Sequence, residues 1–234
     1  TVHHTPSSKQ RTQTSMAPTI PHRLRPSLPR RIDIQMTPEA RPRILPLFPL
    51  PDVVLFPGQI IPLHIFESRY RQMTRDLLDN TGEIILGTIL EKDKESLKET
   101  ASVQSIACQG RLQQYQALDD GRFLVMILGE KRVRIHPHIG QQLYPEARVE
   151  DLPEPSTFIS DHQVFALREA IQNLKTDVKL PEGTSAQQLA DILSMITPMS
   201  TKQRYHLFSI SELAERVETV LEMQSTSDED APPE

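Results

Sequence analysis

Between Leu45 and Phe66 the chain reads LPLFPLPDVVLFPGQIIPLHIF, with five prolines set among Leu, Ile, Val and Phe. Each proline lacks an amide donor, fixes φ, and moves the residue before it out of the α region. A helix is excluded here, so an apolar segment of this kind must be extended. ILPLFPL and VVLFPG have strand length and composition, and Pro57-Gly58 supplies a turn. In QIIPLHIF the residues Ile61, Leu63 and Ile65 share one face. Proline confines such strands to edges or to irregular pairing.

Beyond this segment the period changes. Phe66, Tyr70, Met73 and Leu77 recur at helical spacing, and Gly82 is placed to end that helix. EIILGTIL then reads as a buried strand and EKDKESLKET as a solvated connection. GRLQQYQAL and RFLVMILG flank Asp119-Asp120-Gly121, a hairpin signal in which Gly supplies positive φ. KRVRIH alternates, with Val133 and Ile135 on one face and Arg132 and Arg134 on the other, and PEARVEDL supplies a further strand. So many short strands with Pro and Gly between them predict a closed or nearly closed barrel, which protects its edges.

After LPEPSTF the pattern is helical throughout. Val164, Leu167, Ile171 and Leu174 form one stripe, which Ser160 or Asp161 can cap. Thr184 with Gln187, Ser200 with Gln203, and Ser209 with Glu212 fit the capping box and predict three more helices. The expected fold class is α+β, a β-barrel subdomain over 44–152 with one inserted helix, followed by a small helical bundle over 153–223.

The ends differ from this middle. Residues 1–43 carry eight Lys and Arg against two acids, seven prolines, and hardly any apolar periodicity, whereas the chain ends in the acidic SDEDAPPE. Both 1–43 and 224–234 are expected to be disordered, since neither buries enough apolar surface to offset the entropy of ordering. A transit peptide is the other reading of 1–43, opposed by prolines that break the amphipathic helix it needs. The chain opens on Thr1 and Met36 stands eight residues before Ile44, which leaves open whether 1–35 is a start-site artefact. No run of eighteen apolar residues and no signal-type h-region occurs, so the expected address is cytoplasmic. The net charge of −5 gives no reason to expect nucleic acid as a partner. A single cysteine, Cys108, excludes an intramolecular disulfide and a Cys-based zinc site, and its neighbours mark it as a small buried hydrophobe.

Catalytic patterns are absent. Gly82 and Gly87-Thr88 have the glycine spacing of a phosphate loop, but Thr stands where lysine belongs and the interior is strand-like. His136 and His138 share a strand face with no third ligand in sight, and no G-x-S-x-G or H-E-x-x-H pattern exists. No catalytic, cofactor-binding or metal-ligating residue is assigned. Arg69 and Arg71 beside Tyr70, and Arg132 with Arg134, are basic clusters that can face a partner; the plainer reading is a solvated helix edge and a solvated strand face.

LPLFPLPDVVLFPGQIIPLHIFESRYRQM resembles the opening of the Lon protease N-terminal, or LON substrate-binding, domain. The similarity continues through Gly87 and GRLQQYQALDDGRFLVMILGEKRVRI, and less clearly into the last helices, covering about Ile44 to Met223. This resemblance implies a PUA-like pseudo-barrel followed by helices. By analogy it implies a polypeptide-binding role for a stand-alone module, with no room in 234 residues for the ATPase and protease domains of Lon. The expected partners are unfolded or exposed polypeptide segments, with a separate protease or chaperone beside them. The candidate surface is Phe66, Arg69 and Tyr70 at the strand-to-helix corner, with Arg132 and Arg134; packing is the plainer role for Phe66. The alternative is a PUA-like RNA-binding protein using the Arg132/Arg134 face, opposed by the acidic net charge.

Overall fold

The computed structural model describes residues 43–90, 103–152, 158–174 and 179–229. The proline-rich opening is extended, as its missing donors require, and forms β1 (Arg43–Pro51) and β2 (Ile60–Ile65). VVLFPG between them is not a strand. Val54, Leu55 and Phe56 turn inward and are buried, while the Phe56 N–H donates to the Gln59 side chain at 3.1 Å. The carbonyl of Phe56 lies so close to Gly129 that a Cβ there would stand 2.5 Å from it. The segment is therefore held by a side chain and a close approach rather than by a ladder.

The inserted helix is α1 (Ser68–Asp79), with Tyr70, Met73 and Leu77 buried at the predicted spacing and Phe66 outside its start. It ends at Asn80, whose N–H reaches the Leu77 carbonyl, and Gly82 (φ +72°) turns the chain into β3 (Glu83–Ile89). β3 runs as strand through Gly87, so no phosphate loop forms there. β4 (Ile106–Ala117) and β5 (Phe123–His138) make the expected hairpin, with Gly121 at φ +78°. RFLVMILG and KRVRIH are not two strands but one of 16 residues, and shifts of register at Gln109/Gly110 and Leu112/Gln114 let β4 follow it. β6 (Glu146–Asp151) completes the set.

β1 runs parallel to β3, and every other named pair is antiparallel. β6 pairs with β1 (Ile44 opposite Arg148) and also with β5 (Ile135 opposite Val149), so the order β5–β4–β3–β1–β6 returns to β5. Leu47, Ile85, Ala107, Val133, Ile135, Ala147 and Val149, drawn from all five of these strands, form one buried cluster. β2 stands outside this circuit and pairs with β5 alone. Cys108 is buried beside the circuit as expected, and burial pushes its thiol pKa up to about 12.

The helical part contains α2 (Asp161–Asn173), α3 (Ala186–Ile196), α4 (Thr201–Ser209) and α5 (Leu213–Glu229). Ser200 with Gln203 caps α4 as predicted, and of the two candidates for α2 Ser160 is the cap, in a box with Gln163. The α3 box is Ser185 with Gln188, one residue beyond Thr184 and Gln187; Thr184 instead donates its hydroxyl to the Pro181 carbonyl at 2.8 Å. Ser209 closes α4 by donating to the His206 carbonyl at 2.8 Å, so it opens no helix. Leu167, Ile171, Leu189, Leu193, Leu207, Val217 and Val220 share one buried cluster. α5 continues through Gln224 to Glu229, so the helix takes in six residues that composition assigned to the acidic tail. Residues 1–42, the connection EKDKESLKET and residues 230–234 lie outside the described residues.

Candidate functional site

Phe66 is 62% exposed directly after β2, and its ring lies 6.0 Å from that of His64. Arg69 is half-exposed, donates to Glu67 at 3.0 Å and stacks over the Tyr70 ring at 4.6 Å. Tyr70 does not line a surface. It is buried against Phe48 at a ring separation of 4.5 Å, and that burial raises its pKa above the ordinary tyrosine value. Helical spacing carries Tyr70 inward with Met73 and Leu77, which leaves Phe66 and Arg69 as the accessible part of the corner.

The two arginines of KRVRIH also separate. Arg134 is exposed, but Arg132 is only 2% exposed, because α3 and α4 lie over that half of β5. Its guanidinium donates to both Asp191 carboxylate oxygens, at 2.5 and 3.2 Å, and to the Phe208 carbonyl at 2.9 Å. It also stacks on Phe208 at 5.0 Å and Phe56 at 5.7 Å. Arg216, fully buried on α5, brings its Nε to 3.7 Å from the same carboxylate and donates to the Ile210 carbonyl at 2.8 Å. Strict alternation placed Arg132 and Arg134 on one strand face correctly; half of that face is covered. The two-arginine surface on which an RNA reading rests does not form, and Arg132 is instead the joint between sheet and helices. His136 lies opposite Arg148 and 3.4 Å from Glu150, and among the described residues no three His, Cys, Asp or Glu side chains gather as a metal site.

An accessible apolar surface exists elsewhere. Residues directly opposite one another in antiparallel strands share a face. Pro62, Met126 and Gln114 therefore form one rank across β2, β5 and β4, and His64, Leu124 and Gln116 form the next. Ile60, Leu128 and Arg111 extend the face by a further rank, in which Arg111 is paired with Glu130. The opposite face carries Ile65, Phe123, Val125 and Ile127 and is buried in the core. On the outer face Ile60 is 51% and Leu124 42% exposed, with Met126 and Leu128 half-buried between them. Pro62, His64, Gln114, Gln116, Leu124 and Met126 line a shallow groove of about 540 Å³, which no Asp, Glu, Lys or Arg lines. Such a patch can bury apolar groups of a partner and donate or accept through the Gln114 and Gln116 amides.

The family model of the ATP-dependent protease La (LON) substrate-binding domain matches residues 44–225. The chain belongs to that family. Its curated relatives include the Lon protease of Flavobacterium johnsoniae, 28% identical over 198 residues, covering 78% of this chain and 24% of the relative. The Lon protease of Escherichia coli K12 is 25% identical over 206 residues, covering 82% of this chain and 26% of its own. The chain thus spans about a quarter of the length of these relatives. A crystal structure of a Lon N-terminal domain protein from Xanthomonas campestris superimposes with a TM-score of 0.61 at 22% identity, covering 77% of this chain and 98% of that one. The N-terminal domain of a Mycobacterium avium complex Lon protease gives 0.56 at 16%, covering 78% and 98%. These two likenesses establish the α+β fold, and the family match falls on a substrate-binding domain rather than a catalytic one.

Within this LON domain a second cleft of about 520 Å³ lies between the Pro57-Gly58 turn and α3, walled by Ile192, Met195 and Asp191. Its carboxylate is committed to Arg132. The outer groove was readable in principle from FLVMIL, the start of β5. An antiparallel strand with one wet face alternates apolar and polar, whereas this run is apolar at six successive positions, so both faces must be apolar. Among the described residues no helix is long and apolar enough to cross a membrane.

Proposed function

We propose that this LON domain is a non-enzymatic polypeptide-binding module that takes apolar segments of unfolded proteins on the outer face of β2, β5 and β4. The single observation that carries the reading is the partly exposed apolar face of Ile60, Leu124, Met126 and Leu128, whose groove no Asp, Glu, Lys or Arg lines. Membership of a substrate-binding family supports the kind of partner. Phe66 extends the surface past the end of β2, and Arg69 flanks it. We further read the five-strand circuit as a PUA-like pseudo-barrel, α2–α5 as a small bundle, and 44–223 as one domain, acting in the cytoplasm beside a separate protease or chaperone.

The test compares binding of reduced, carboxymethylated α-lactalbumin with binding of the native form. Unfolded protein is bound and native protein is not. The double variant Leu124→Asp/Met126→Asp weakens binding at least about tenfold, because two apolar contacts are replaced by charges without partners. Leu124 is 42% exposed and Met126 half-buried, so the double variant stays folded with a melting transition lowered only by the partial burial lost at these two positions. Equal binding of both forms of the protein, or unchanged binding by the double variant, rejects the reading.

A further inference from the structure

We propose that an extended, uncharged apolar peptide is taken up as an additional strand along the free edge of β2, and that Pro62 restrains that edge. The inference rests on the polypeptide-binding reading above and gives it a geometry. The Gly129 N–H donates to the Gln59 carbonyl at 2.9 Å, and the Gly129 carbonyl accepts from the Gly58 N–H at 2.8 Å. Hydrogen-bonded pairs in an antiparallel ladder recur every second residue. Counting from Gln59 and Gly129, the bonded pairs are Ile61 with Ile127, Leu63 with Val125, and Ile65 with Phe123. The backbones of Ile60, Pro62 and His64 therefore point away from β5. Among the described strands β2 is the one with a single partner, so these groups form an open edge.

That edge offers three carbonyls but only two N–H donors, because the middle residue is proline. This is where proline is tolerated in a sheet, and it is also a device by which edges avoid indiscriminate pairing. A peptide in the outer groove must satisfy one donor and one acceptor per residue. The side chains bounding the groove, chiefly Gln114, Gln116 and His64, provide too few partners, whereas the edge supplies a ladder. A strand added there lies about 4.8 Å beyond β2, and its residues opposite Ile60, Pro62 and His64 continue the outer face toward Met126 and Leu124. The charge of the groove fixes the chemistry of the guest. A Lys or Asp side chain on that face would lose water with no counter-charge among the lining residues, so alternate positions of the guest must be neutral and apolar.

The probe is a fluorescein-labelled nonapeptide alternating valine and threonine, followed by anisotropy, with a copy N-methylated at alternate amides on one edge. On the full chain the parent peptide binds and the N-methylated copy binds at least about tenfold more weakly. Pro62→Ala restores the missing donor without touching the ladder to β5, and it tightens binding about three- to tenfold. The N-methylated peptide tests the wild-type chain directly, so the proposal stays open to refutation even where the variant misfolds. Equal affinities for the two peptides, or a folded Pro62→Ala protein that binds no more tightly, overturn strand addition while leaving the polypeptide-binding reading intact. Absence of binding to both the peptide and unfolded α-lactalbumin overturns both.

Discussion

Replacement of Asp191 tests whether the joint between sheet and helices holds the domain together. Its carboxylate, 3% exposed, takes two hydrogen bonds from Arg132 and lies 3.7 Å from Arg216, both arginines being buried. In Asp191→Ala the Arg132 cation stays in the interior with its carboxylate gone, held by the Phe208 carbonyl and the two aromatic rings. Removing one partner of a buried pair costs about 3–5 kcal/mol, far more than the net worth of the pair, because the surviving charge is still desolvated. In a domain of this size each kcal/mol moves the midpoint by about 2–4 °C, so Tm falls by roughly 6–20 °C. Replacing both charges, in Arg132→Met/Asp191→Leu, leaves no orphan between them and costs less than Asp191→Ala alone. Arg132→Lys does not rescue, since an ammonium cannot make the bidentate contact or stack on Phe208. Urea unfolding of the parent, Arg132→Met, Asp191→Leu and the double variant, followed by far-UV circular dichroism, gives the four free energies of the cycle. A loss below about 1 kcal/mol in Asp191→Ala, or simple additivity in the double variant, refutes the assignment of Arg132 and Asp191 as the joint.

Gly129→Ala should cost about 1–3 kcal/mol, because its Cβ would meet the Phe56 carbonyl at 2.5 Å and the Cys108 sulfur at 3.0 Å; a melting midpoint equal to the parent's would show that the crossing of β5 and the Phe56 segment is loose. Alkaline pH should destabilise the fold: burial raises the pKa values of Cys108, Tyr70 and Tyr205, so the folded state retains protons that the unfolded state releases. The Cys108 contribution is complete below about pH 8.5 and declines as the pH climbs toward 12, by up to about 1.4 kcal/mol per pH unit, and the contributions of the two tyrosines begin to fall only above about pH 10. Urea midpoints that stay flat between pH 8 and 10.5, or no shallower pH slope in Cys108→Ala, would contradict this.

The elements that were legible in the sequence are those fixed by local chemistry. Proline dictated the extended β1 and β2, the Asp-Asp-Gly turn dictated the β4–β5 hairpin, and the box of Ser200 with Gln203 located the start of α4. The misplacements share a cause. Thr184 and Ser185 both lie three residues before a glutamine, and the backbone turn at Pro181 took the Thr184 hydroxyl, which left Ser185 to cap α3. VVLFPG has strand composition, but its polar backbone found Gln59 instead of a neighbouring strand. Arg132 is the clearest case. Nothing within several residues distinguishes it from Arg134, because its burial is decided by Asp191 and Phe208, 59 and 76 positions away.

That distant decision also explains why the accessible surface lies where it does. β5 is one strand with two environments: its second half pairs with β6, with Arg132 covered by α3 and α4, while its first half pairs with β2 and keeps Leu124 and Met126 on an uncovered face. Gly129 stands between the halves, where the backbone of Phe56 passes too close for any side chain. An exposed apolar face at the end of a sheet is ordinarily a liability, for it joins sticky side chains to unpaired backbone groups. Here the edge beside it carries proline at the one outward position between Ile60 and His64, so the chain keeps the apolar face while weakening the ladder by which copies would pair. If the face had no partner, a polar residue at Leu124 would remove the hazard at no structural cost; the combination of an apolar face with a blunted edge is what a surface needs when it must accept other chains without accepting its own.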